Sequence, residues 1–171
     1  MKPILKKHRM SPGCMLCLLC LLTAAQTLFI WGNSLAGVEE STAISGGFTL
    51  ILKNLLDPGQ KIDPEFFHHI VRKAAHFTEF FVLGAMYSLT RHHLSAPRRS
   101  QALFLPPFAT LFTAVCDEFI QSFTGRGTAV RDVMLDFCGA VCAIALIELI
   151  CFLRQRTGEK KNDNQAEDSF E

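Results

Sequence analysis

The 171-residue chain carries almost no excess charge, with 17 Lys and Arg against 16 Asp and Glu, so it cannot assemble the basic face that a nucleic-acid partner demands. Charged residues are also scarce, at 19% against roughly 25% in ordinary soluble proteins. No internal repeat and no nucleotide-type glycine loop occurs, and nothing in the sequence asks for a cofactor. A disulfide framework is missing too. The seven cysteines, an odd number, all lie in or at the ends of apolar runs, where the thiol acts as a small hydrophobe. Cys14, Cys17 and Cys20 have the spacing of half a zinc site, but no second ligand cluster faces them. Lipoprotein processing at Cys14 would need an apolar stretch before it, and that stretch follows it. With 49% hydrophobic residues, the chain is not disordered either.

What is present is apolar sequence in long blocks. Crossing a bilayer as helix takes about 20 mostly apolar residues. Four stretches qualify, with spans expected at about 13–31, 70–91, 102–123 and 133–153. The first is free of charge, whereas the others carry ionisable groups. A soluble bundle can be drawn from the same elements, but its first helix would have no polar face for water. The expected fold is therefore all-α, an integral membrane bundle of four transmembrane helices.

The loops supply the orientation. Lys2, Lys6, Lys7 and Arg9 precede the first span, Arg91, Arg98 and Arg99 separate the second and third, and Arg154, Arg156, Lys160 and Lys161 follow the fourth. These clusters fall on one side, which the positive-inside rule makes cytoplasmic. Both termini are then cytoplasmic, in a cell-membrane protein. Ser34-Leu35-Ala36 also allows a signal peptide cut after Ala36, leaving three spans. The apolar run is long for that, which favours retention.

In the first outer loop, Phe48, Ile51, Leu52, Leu55 and Leu56 share one helical face, giving either an interfacial helix or a cap on the bundle. Asp63-Pro64 reads as an N-cap and first helical residue. Pro106 and Pro107 sit at the start of the third span, where a missing N–H costs little. Residues 158–171 are polar and are expected to form a disordered cytoplasmic tail after a membrane domain over 1–157.

Intramembrane charge is costly, about 2.5–3.5 kcal/mol per residue at a helix centre, so it faces a partner or water. Arg72, His76 and Glu79 form one stripe on the outer half of the second span, with Lys73 beside it. Asp117, Glu118 and Gln121 occupy the last turns of the third, and Asp132 and Asp136 lie one turn apart on the fourth, below Arg126 and Arg131. All lie within roughly 10 Å of the same face at 1.5 Å per residue. Gly84, Ala85, Gly139, Ala140 and Ala143 provide the small residues that let helices approach in lipid. Glu148 stands apart, in the cytoplasmic half of the fourth span.

Two blocks resemble a known family. Val71-Arg72-Lys73-Ala74-Ala75-His76-Phe77-Thr78-Glu79-Phe80, continuing to Leu83-Gly84, is similar to the RKxxHFxE(Y/F)xxLG helix of VanZ-like membrane proteins. Asp117-Glu118-Phe119-Ile120-Gln121-Ser122-Phe123, then Gly125-Arg126, Asp132 and Gly139, resembles the family's DExxQxF…GRxxxxxDxxxNxxG block. Phe80, Thr124 and Asp136 depart from the pattern, which commonly has Tyr, Pro and Asn there. The resemblance implies a bacterial inner-membrane protein without an agreed activity. The family takes its name from a protein associated with low-level teicoplanin resistance.

Three readings of the polar cluster follow. In the first, Arg72, Lys73, Arg126 and Arg131 hold the phosphate or carboxylate of a lipid headgroup or cell-wall precursor, while Asp117, Glu118, Gln121, Asp132 and Asp136 take hydroxyls or amines. In the second, an enzyme on a lipid-linked envelope substrate uses His76 with Glu79 as base and orienting acid, and Asp117 or Glu118 as proton carrier, though no nucleophile is identifiable. A metal variant with His76, Glu79, Glu118 and Asp132 or Asp136 as ligands is opposed by the nearby cations, and no metal is assigned. In the third, the charges only neutralise one another, Arg72 with Asp117 or Glu118 and Arg126 with Asp132, fixing helix register. Membrane lipids are the expected surroundings, and the oligomeric state cannot be read.

Overall fold

A computed structural model describes residues 11–35, 47, 49–57, 59, 61–125, 127 and 129–167, with side chains as far as residue 157. The described residues are helices and short connections, with no strand among them. In chain order these are α1 (Pro12–Leu35), α2 (49–56), α3 (Pro64–His92), α4 (Ala96–Gln101), α5 (Leu105–Phe123) and α6 (Val130–Glu167). The all-helical expectation holds. Two helices, Pro12–Leu35 and the Val130–Thr157 part of α6, are long and apolar enough to cross a membrane.

Local chemistry sets the element ends. The Asp63 carboxylate accepts the Phe66 N–H at 3.0 Å and Pro64 opens α3, so an orphan donor is satisfied where proline has none to lose. Between α2 and α3, Asp57 accepts the N–H groups of Lys61 (3.0 Å) and Ile62 (2.8 Å). Those two bonds, with Lys53 nearby, hold its carboxyl below the usual aspartate range. Pro106 and Pro107 fall in the first turn of α5, where their missing donors cost nothing. After α5, Gly125 takes φ +73°, a left-handed turn that side chains with a Cβ resist. At its far end α6 runs on as helix through 158–167, where composition had suggested an irregular tail.

α3 is the centre of the bundle and packs most extensively against α6. Two glycines make this possible. A Cβ on Gly84 would stand 2.8 Å from Ala140 Cα, and one on Gly139 would run into the Phe77 carbonyl oxygen. The backbones therefore meet directly, as small residues allow between helices in lipid. The apolar core joins Ile30 of α1, Phe80 and Leu83 of α3, Ala114 of α5 and Ala140 of α6, with Trp31, Tyr87 and Val133 packed against it. α1 is thus part of the core, since Ile30 is fully buried in it.

Side-chain bonds also give helix directions. Lys73 meets Asp132 and Ser88 meets Glu148, so α3 and α6 run parallel. Trp31 reaches the Thr113 carbonyl and Ser34 reaches Gln121, so α1 and α5 run parallel as well. α5 is amphipathic in the inverted sense. Its buried face carries Thr110, Thr113, Asp117, Glu118 and Gln121, while Phe108, Phe112, Val115, Phe119 and Phe123 remain exposed. Water would favour the reverse arrangement. On α2, Leu50, Ile51, Leu55 and Leu56 are likewise exposed. Of its expected apolar face, Phe48 lies outside the described residues.

Candidate functional site

The α3–α6 contact and the neighbouring α5 bring charged side chains from three helices together. His76 of α3, Asp117 of α5 and Asp136 of α6 place potential ligand atoms within 4.8 Å of one another. Their exposure is low, with Asp117 at 0% and Asp136 at 3%. His76 Nδ1 stands 3.9 Å from Asp117 Oδ2, and the same oxygen accepts from Gln121 Nε2 at 2.7 Å. Gln121 also donates to Ser34 Oγ at 3.3 Å, tying the cluster to α1.

The remaining acids are anchored around this centre. One turn outward from Asp136, Asp132 pairs with Lys73. Glu118 Oε1 accepts the Ala129 N–H at 2.5 Å, while its buried Oε2 has no hydrogen-bond partner among the described residues. Glu79 Oε1 accepts from Asn33 Nδ2 at 3.1 Å, and the Glu79 carbonyl accepts from Gln26 Nε2 at 3.2 Å. Arg72 is half-buried and has no ion pair among the described residues. Arg126 lies outside the described residues, and Arg131 is exposed.

Two openings adjoin the cluster. A small cavity of about 10 Å³ is lined by Arg72, Lys73, His76, Gln121, Asp132 and Asp136. A groove of about 630 Å³ lies on the other side of α3, between α2 residues Leu52 and Leu56 and α3 residues Phe67, Val71 and Val82, with Glu79 at its polar part.

The pairings differ from the neutralising scheme that sequence spacing suggested. Asp132 is taken by Lys73, and Arg72 bonds to neither Asp117 nor Glu118. Both Arg72 and Lys73 border the cavity, and it is Lys73 whose ammonium reaches Asp132 of α6. Sequence reasoning also missed three polar residues of α1, Gln26, Asn33 and Ser34. Gln26 and Asn33 are seven residues apart on α1, a same-face spacing that turns both toward Glu79 of α3. His92, read as a plain loop residue, is half-buried and lies 3.0 Å from Glu148 Oε1. Glu148 pairs with buried Arg91 and accepts Ser88 Oγ at 2.9 Å, a second cluster at the opposite end of the α3–α6 contact. All seven cysteines are free thiols.

A helical bundle with two helices long and apolar enough to cross a membrane, and with Asp117, Glu118 and Asp136 buried in its interior, is the class these features define. The chain belongs to the VanZ/LLP1 family, whose model matches residues 14–152. Comparison with curated proteins and with solved structures finds no match in either.

Proposed function

We propose that this is a four-span membrane protein, termini cytoplasmic, that binds an amphiphile of the cell envelope with an anionic or polar head. The observation that carries it is the junction of an apolar groove with a half-buried cation. Ile70 and Val71 belong to the groove and Arg72 to the polar cavity beside it. An acyl or prenyl chain fits the groove, and a phosphate or carboxylate head meets a guanidinium that needs an acidic partner.

The four-span topology is supported by helix directions. α3 runs parallel to α6 and α1 parallel to α5, as alternate crossings of one slab demand. The 19 residues of α5 span about 28 Å at 1.5 Å per residue, near the thickness of the hydrocarbon layer. Its inverted amphipathicity fits lipid on the exposed side. The exposed apolar face of α2 fits an interfacial helix at the outer surface.

Purification in mild detergent followed by mass spectrometry of co-purified lipids tests the binding reading. Wild type is expected to retain an anionic amphiphile that Arg72→Ala loses while remaining folded. Equal lipid content in both proteins would overturn it. Susceptibility to teicoplanin is the phenotype to follow in the same strains, given the family's namesake.

A further inference from the structure

We propose that His76, Asp117 and Asp136 form a binding site for one divalent transition-metal ion between α3, α5 and α6. The three side chains are a nitrogen and two carboxylate donors from separate helices, with ligand atoms within 4.8 Å of one another. Around a zinc-like ion, ligand bonds of about 2.0–2.2 Å at tetrahedral angles place donors about 3.3–3.6 Å apart, so side-chain shifts of up to about 1.5 Å close the site.

Two further observations point to a small cation. Asp136 is 3% exposed, accepts no hydrogen bond and pairs with no cation among the described residues, yet it lines the cavity. A buried carboxylate without a partner is costly, and an ion in that cavity supplies one. The cavity itself, at about 10 Å³, suits a single water or ion at its inner end. Gln121 donates to Asp117 Oδ2, as outer partners do for ligating carboxylates.

Nearby cations had argued against a metal. The structure shifts that balance in part: the Lys73 ammonium is engaged by Asp132, one turn before Asp136, which leaves Arg72 as the unengaged cation of the cavity among the described residues. Among the acids, Glu79 accepts from Asn33 and Glu118 accepts the Ala129 N–H, and neither places an oxygen in the group formed by His76, Asp117 and Asp136. Imidazole with carboxylates favours zinc-like ions over magnesium or calcium, which prefer all-oxygen shells. The ion is held by His76, Asp117 and Asp136, whereas the amphiphile proposed above is held by Arg72 and the groove, so loss of either ligand can be read separately although Arg72 lines the same cavity.

The test uses full-length protein in detergent, stripped with a chelator and dialysed against Zn²⁺, with Co²⁺ as a spectroscopic substitute. Wild type is expected to bind one ion per chain, with visible Co²⁺ bands and one hyperfine-shifted imidazole N–H. Asp136→Asn and His76→Gln should weaken Zn²⁺ binding at least tenfold, and Glu65→Gln, on the exposed first turn of α3, should not. Zinc at background level on wild type overturns the proposal, as does unchanged affinity in folded Asp136→Asn. If the variants fail to fold, the wild-type Co²⁺ spectrum decides, and bound Co²⁺ without a shifted imidazole overturns it.

Discussion

Replacing Gly84 with alanine tests how the bundle brings its charged groups together. The added Cβ would lie 2.8 Å from Ala140 Cα and 2.5 Å from the Ala140 carbonyl oxygen. Ordinary carbon contacts are about 3.5–4.0 Å, so α3 and α6 must separate locally by about 1 Å. Overpacking of this kind costs about 1–3 kcal/mol. Alanine also favours helix over glycine by about 0.8–1.0 kcal/mol, which would mask part of the loss. Gly32→Ala in α1 is the matching control, because nothing lies within 4 Å of a Cβ there. Subtracting the control cancels the helix-propensity gain and leaves the contact cost, so Gly84→Ala should be less stable than Gly32→Ala by about 1–3 kcal/mol. Thermal unfolding in one detergent, followed through the only tryptophan, Trp31, reads the difference. Equal unfolding midpoints for the two variants would refute the direct backbone contact.

Other expectations follow from the remaining clusters. Glu148→Gln removes the charge facing the buried Arg91 guanidinium and, because the glutamate is itself 38% exposed, should cost about 1–2 kcal/mol, whereas the double variant with Arg91→Met should cost less than the sum of the single changes in an unfolding cycle. Asp57 has a folded pKa below its unfolded value, so it stabilises its turn above the ordinary aspartate pKa and loses that contribution as pH falls through the folded value. Hydrogen exchange at Lys61 and Ile62 should therefore accelerate in acid beyond the intrinsic trend, and Asp57→Ala should remove the excess. Phe112→Lys puts a charge on the exposed apolar face of α5 and should reduce membrane accumulation on an immunoblot, at a cost of about 2.5–3.5 kcal/mol near a helix centre. In a cysteine-free background, impermeant thiol reagents should label Arg131→Cys in intact cells and Ser95→Cys only after lysis. The reverse pattern would invert the proposed orientation.

The residue pattern alone determined the helical class, the family and the narrow zone in which the charged groups lie. Those properties are local: apolar blocks of membrane length, an Asp-Pro helix start and charges repeated every three or four residues carry their meaning in one dimension. Tertiary structure decided who meets whom. Lys73, and not Arg72, meets Asp132 because the rotation of α3 against α6 is set by Gly84 and Gly139 meeting backbone. The donation of Asn33 to Glu79, and the closure of Glu148 on Arg91 and His92, join residues 46 to 57 positions apart. Spacing along a chain can place a side chain on a face, but a pair across two helices depends on their relative rotation and depth. That is why Asp136 read as one more acid in the sequence and becomes, in the packed bundle, a carboxylate facing His76 and Asp117.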